Sequence, residues 1–185
     1  MRLFVALATP TDVLDDLDAA TAPFRTARED LRWTSREAWH VTLSFLADVT
    51  DLQLTRLVPR LERAARRHAA FSLSFASAGA FPSAGRANVL WSGLAGDLPA
   101  LAELAASAAA AARRAGVPPS DTGRKYRPHL TLARCRAPAD VSPVVTALSG
   151  YEGQPWHAEE IFLIRSRLHE CPRYETLGAW KLKTG

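Results

Sequence analysis

The chain has 185 residues, 48% hydrophobic and 23% charged, with a formal charge of +4 and a pI near 9.5. That length supports a sizeable core, and the positive balance favours an anionic partner. No stretch approaches the roughly 18 to 20 apolar residues needed to cross a bilayer, and Cys135 and Cys171 lack the spacing of a metal site or a disulfide framework. One compact, two-lobed unit in a reducing cytoplasm is expected.

The apolar run 3–8 reads as a strand, since it is too short for a signal-peptide core and stops at Pro10. Thr9-Pro10-Thr11-Asp12 then supplies cap residues for a helix to about Phe24, with Val13, Leu14 and Leu17 as its buried stripe. Residues 31–34 form a short strand, Ser35-Arg36-Glu37 a turn, and 40–47 a longer strand. A helix over 51–68 places Leu54, Leu57, Val58 and Leu61 on one face and Arg56, Arg60, Arg63 and Arg67 largely on another, with Pro59 expected to kink it. Residues 71–80 alternate as a half-buried strand does, 82–86 form a loop, and 88–94 the next strand. Asp97-Leu98-Pro99 opens an alanine-rich helix that ends at Gly116, and a loop over 120–128 follows. A strand from 129, a short helix over 141–148, and closing strands over 156–167 and 175–183 complete the chain. Strands interleave with helices twice, the pattern of an α+β duplication.

Two segments repeat. His40-Val41-Thr42-Leu43 and His129-Leu130-Thr131-Leu132 are both His-x-Thr-Leu. Alternation in a strand puts His40 and Thr42 on one face and Val41, Leu43 and Phe45 on the core side, and likewise His129 and Thr131 opposite Leu130 and Leu132. If the strands lie near one another, two imidazoles and two hydroxyls line one concavity. Histidine holds both protonation states within reach near neutral pH, so one ring can take a proton from a nucleophile while the other gives one to a leaving group. That division suits in-line displacement at phosphorus, with the threonines donating to phosphoryl oxygens. No Cys, Asp or Glu stands in ligand spacing beside either motif, so neither metal nor cofactor is expected.

With this frame the sequence resembles the two-histidine (2H) phosphoesterases, and within them the RNA 2′,3′-cyclic phosphodiesterases also called 2′-5′ RNA ligases. The opening Met1-Arg2-Leu3-Phe4-Val5-Ala6-Leu7, then Leu31-Arg32-Trp33, Phe81-Pro82 and Val89-Leu90-Trp91 look like the family's frame. So do the run from Arg124 to Arg134, and Ser166, Tyr174 and Trp180 near the close. The resemblance implies an α+β bilobal 2H phosphoesterase fold over 1–185, its two antiparallel sheets related by a pseudo-twofold around a central cleft, with helices outside. It implies motif strands at 40–46 and 129–134, His40 protonating the departing 3′ oxygen, and His129 activating water. Thr42 and Thr131 would hold the phosphate, and Arg134 would assist. Strict alternation puts Arg134 opposite His129, so its role requires a bulge or a strand end near Cys135.

The implied reaction opens RNA 2′,3′-cyclic phosphate ends to 2′-phosphates, with 2′-5′ ligation as its reverse, in a cytoplasmic monomer whose partner is RNA or a nucleotide with that end. Alternatives are a cyclic phosphodiesterase for small nucleotides of the ADP-ribose cyclic phosphate type, or a non-catalytic RNA-end-binding module. Ser44 and Ala47 stand where the family commonly has a basic residue and a glycine, and Cys171-Pro172 where a glycine is usual. Arg124, Lys125 and Arg127 are candidates to steer a polyanion, and Tyr126 to stack on a base. His157 and His169 lie outside the motif, and the arginines of the 51–68 helix read as a solvated face.

Overall fold

Strand β1 (Leu3–Leu7) is buried along its whole length, as a continuous apolar run requires when both faces of a sheet are covered. Leu3, Val5 and Leu7 join the main core, while Phe4 and Ala6 turn the other way, into a small cluster with Ile164. The structure is a computed structural model that describes residues 1–117, 120, 125–167 and 173–183. Arg124, His169 and Cys171-Pro172 lie outside the described residues.

Helix α1 (Thr11–Ala27) follows β1. It has no side-chain cap, contrary to the expectation at Thr9–Asp12, and runs through Pro23 beyond Phe24. Strand β2 (Leu31–Trp33), a 3-10 turn at Arg36–Ala38 and strand β3 (Val41–Leu46) come next. Helix α2 (Asp51–Ala65) opens on a capping box in which Thr50 and Gln53 satisfy each other's backbone N–H groups, and it passes Pro59 uninterrupted. Strands β4 (Phe71–Phe81) and β5 (Ala87–Gly96) form a long hairpin. Helix α3 (Leu98–Arg114), capped by Asp97, ends as expected at Gly116, whose φ of 84° suits a residue without Cβ. Strand β6 (Leu130–Ala139), helix α4 (Ser142–Ala147), and strands β7 (Trp156–Ala158), β8 (Glu160–Ser166) and β9 (Tyr174–Lys181) complete the chain.

The strands form two antiparallel sheets, in the orders β3-β1-β8-β9 and β2-β6-β5-β4-β7. The closing strand expected over 156–167 is in fact two strands: β7 pairs with β4 in one sheet and β8 with β1 in the other, with the chain crossing at Glu159. The buried positions slip by one at that crossing, from Trp156 and Ala158 to Ile161 and Leu163 across Glu159-Glu160, which is the mark of the change of sheet. The two halves have related connections: a strand and a 17-residue helix lead to a motif strand antiparallel to the first, directly in β5–α3–β6 and by way of β2 and the 3-10 turn in β1–α1–β3. Helices α2 and α3 pack on each other, α3 also on β3, and α4 on β4. Among the described residues no helix is long and apolar enough to cross a membrane.

Candidate active site

Both motif strands carry the same irregularity at the same place. Ser44 pairs with Val5 and Thr42 with Ala6, leaving Leu43 as an extra residue in β3. Ala133 pairs with Leu90 and Thr131 with Trp91, leaving Leu132 as the extra residue in β6. Such a one-residue bulge flips every later side chain to the other face. Leu43 and Ser44 are therefore both buried, as are Leu132 and Ala133, and the residues that follow turn outward. Phe45 does not pack in the core as alternation predicts; it is 46% exposed and lines a cleft. Arg134 lands on the same side as Thr131, through the bulge its role demanded.

Thr34, at the end of β2, holds the second bulge in shape. Its N–H donates to the Leu132 carbonyl at 2.9 Å, and its hydroxyl reaches the same carbonyl at 2.7 Å and that of Thr131 at 2.9 Å.

The cleft has a volume of about 510 Å³ and lies between the sheets, since Phe4 and Thr42 on one side and Thr131 and Arg134 on the other all line it. Three arginines, Arg2, Arg134 and Arg173, face it, and no carboxylate does among the described residues. A cavity with that lining attracts an anion.

His40 stands just before β3 at the cleft wall, with Phe4 and Tyr174 edge-on at centroid distances of 5.1 and 5.0 Å. Burial against these rings holds its pKa below the ordinary histidine value, and a hydrogen bond to the Ala38 carbonyl opposes the shift. His129 flanks the cleft rather than lining it, with Phe81 edge-on at 5.1 Å and Trp91 at 6.2 Å. Its Nδ1 lies 2.7 Å from the Arg127 carbonyl oxygen. A carbonyl only accepts, so Nδ1 carries the proton and the neutral ring keeps its lone pair on Nε2. Each ring is thus tied to the carbonyl two residues before it.

The other expected site residues divide. Arg127 acts through its carbonyl, and its exposed side chain does not line the cleft. Tyr126 packs against the core and donates its hydroxyl to the Thr42 carbonyl at 3.0 Å, tying the segment that delivers His129 to β3; burial pushes its phenol pKa up. His157 pairs with Ser72, away from the cleft. Sequence reasoning gave no role to Arg2, Phe4, Thr34, Arg173 or Tyr174. Alternation along β1 groups Arg2 with Phe4, a signal that the apolar run conceals. The departure at Ala47 needs no glycine, because the left-handed residue is its neighbour Asp48, with φ 55°. Among the described residues no three His, Cys, Asp or Glu side chains form a metal-binding group.

A sequence profile described as the 2′-5′ RNA ligase superfamily matches residues 13–170. The chain belongs to the 2′-5′ RNA ligase superfamily. An RNA 2′,3′-cyclic phosphodiesterase of Thermus thermophilus is 30% identical over 190 aligned positions, covering 99% of this chain and 91% of that protein. One of Geobacillus stearothermophilus is 30% identical over 165 positions, covering 89% of this chain and 50% of that protein. One of Aquifex aeolicus is 27% identical over 106 positions, covering 57% and 56%. The chain therefore spans only about half the length of these last two relatives. Among solved structures of superfamily-like fold, Escherichia coli LigT complexed with 3′-AMP superposes with a TM-score of 0.77 at 26% identity, covering 98% of this chain and 97% of that one. A protein of Thermus thermophilus gives 0.76 at 26% identity, covering 100% and 99%.

Proposed function

We propose that the protein is a metal-independent phosphodiesterase that opens RNA 2′,3′-cyclic phosphate ends to 2′-phosphates by paired histidine acid and base catalysis. The observation that carries this reading is that two identically bulged His-x-Thr strands, one from each sheet, bring Thr42 and Thr131 into one arginine-lined cleft. The names of the Thermus and Geobacillus relatives support the substrate class.

In the proposed reaction, water attacks phosphorus in line with the bond to the 3′ oxygen. His129 accepts the proton of that water on Nε2, and the imidazolium of His40 protonates the departing 3′ oxygen. The 2′ ester bond survives, so the product carries a 2′-phosphate. Thr42 and Thr131 donate to the non-bridging oxygens, and Arg134 offsets their charge. Because its pKa is held down, His40 is the stronger acid once protonated, and an anionic diester beside it favours that protonation. A 5′ hydroxyl in place of the attacking water gives up its proton to His129 in the same way, and the product is then a 2′-5′ linkage with the 3′ hydroxyl released. The half-buried free thiol of Cys135 fits a reducing cytoplasm.

The test is turnover of an RNA ending in a 2′,3′-cyclic phosphate, with EDTA present, by the wild type, His40→Ala and His129→Ala. A 2′-phosphate product and loss of about 10² to 10⁴ in rate for each variant are expected. A 3′-phosphate product, or dependence on added metal, would overturn the mechanism. Turnover confined to a cyclic mononucleotide would move the substrate from RNA to a small nucleotide.

A further inference from the structure

A second concavity, of about 590 Å³, lies between α2 and α3 on the outer side of the fold. Helix α2 contributes Arg60 and Arg63 and the turn after it Arg67, and α3 contributes Arg114 together with the small residues Ser107, Ala110 and Ala111. The small residues keep the trough open, and the guanidinium groups stand along its walls. No carboxylate lines it, and none of the four arginines has an ion-pair partner among the described residues. Glu62, on the same helix, is taken by Arg66. Four like charges around one trough repel each other unless an anion enters, and arginine's planar fork suits phosphate oxygens.

The trough also lies within chain reach of the cleft. Ser107 to Arg114 spans about 10 Å of helix, long enough for successive phosphates of one strand. Helix α3 then closes at Ala115, and Ser120, six residues beyond Arg114, hydrogen-bonds to the Phe45 carbonyl at 3.0 Å and lines the cleft. Six residues reach at most about 20 Å even when extended.

We infer that the trough between α2 and α3 binds the phosphodiester backbone of an RNA strand whose end occupies the cleft. This deepens the proposed function and rests on it for the position of that end, while the binding itself does not depend on turnover.

The experiment measures affinity for a labelled single-stranded RNA with an ordinary 3′ hydroxyl, across a range of salt, so that no cyclic phosphate is needed. Compared are the wild type, the double variant Arg63→Glu/Arg67→Glu, the same pair changed to Lys, and Arg86→Glu, whose arginine lines neither concavity. The charge-reversed pair is expected to bind about tenfold or more weakly, with a log-log salt slope reduced by about 1.4, or about 0.7 per lost phosphate contact. The lysine pair is expected to fall between the charge-reversed pair and wild type, keeping the charge without the fork, and Arg86→Glu to stay near wild type. The charge-reversed pair should turn over a cyclic mononucleotide as the wild type does, but lose kcat/KM on a long cyclic-ended RNA. An unchanged RNA affinity, or a fall no larger than that of Arg86→Glu, would overturn the inference. So would loss of binding to vesicles carrying anionic phospholipid with RNA affinity intact, which would assign the trough to a membrane surface. Failure of every cyclic phosphate to turn over would instead strike the cleft reading and leave the binding result standing.

Discussion

Phe45 and Arg134 occupy equivalent positions on the two motif strands, each turned into the cleft by a one-residue bulge just after its threonine. The backbone of the two halves is matched there, but the chemistry is not: one side offers an aromatic face and the other a guanidinium. That asymmetry can fix which way round a nucleotide lies, since a base fits the former and a phosphate the latter. Arg134→Gln is expected to lower kcat/KM on a cyclic-phosphate RNA by about 10- to 100-fold, the worth of a charged hydrogen bond. Phe45→Gln should change unfolding stability by about 1 kcal/mol or less, because the ring is half exposed. Steady-state kinetics and thermal melts check both, and an Arg134→Gln enzyme with unchanged kcat/KM would remove the arginine from the site.

Ser44 is the counterpart of Ala133. It is 7% exposed, and its buried hydroxyl has no partner among the described residues. Ser44→Ala removes an unpaired buried polar group and copies the residue used on the other strand. It is expected to raise unfolding stability by about 1 kcal/mol, which for a chain this size raises Tm by about 2 to 4 °C. A melt that moved downward would show that the hydroxyl is satisfied.

That His40, Thr42 and Thr131 share one cleft was legible because a polar pair repeated on two strands has no explanation in core packing. The alternation that made them legible also misplaced Phe45, since a bulge adds a residue without leaving a mark in an apolar sequence. Arg134 escaped that error only because its presumed role forced the bulge to be considered. The crossing at Glu159 did leave a mark that a single long strand passes over: the buried positions step from Trp156 and Ala158 in one sheet to Ile161 and Leu163 in the other, a slip of one across Glu159-Glu160. Arg2 and Arg173 are far from either motif in sequence, and only the pairing of β1 with β3 and of β8 with β9 brings their ends of the chain to the cleft.

Tyr126 gives the sharpest contrast between stacking and positioning. A base-stacking ring would work equally well as phenylalanine, whereas a hydroxyl donated to the Thr42 carbonyl would not. Tyr126→Phe is therefore expected to cost about 1 kcal/mol of stability and to lower kcat more than it changes KM. Wild-type kcat in Tyr126→Phe would return the residue to the stacking role.

Gly79 supports His129 at one remove. A Cβ at position 79 would overlap the Trp91 ring, which packs beside both Phe81 and His129. Gly79→Ala must push that ring aside, at an overpacking cost of about 1 to 3 kcal/mol. Because the displaced ring borders His129, the expected signature is a shifted His129 resonance and a lower kcat in an enzyme that still melts cooperatively. Unchanged kcat with only a lowered Tm would reduce Gly79 to a packing role.

The pH dependence follows from His40. Its folded pKa lies below the unfolded value of about 6.5. As the proposed acid, His40 must be protonated, so kcat/KM is expected to fall as pH rises through that lowered pKa, placing the alkaline limb on the acid side of an ordinary histidine. Tyr174→Ala opens the ring to water on one side, relieves the burial that lowers the pKa, and should carry that limb to higher pH. Stability moves consistently with this: the unfolded chain binds the proton first, so the neutral ring's contribution is whole above about pH 6.5 and is lost as pH falls through the folded pKa. His40→Gln should lose less Tm than the wild type as pH falls below about 6.5. An alkaline limb that stays fixed in Tyr174→Ala would mean that a group other than His40 delivers the proton.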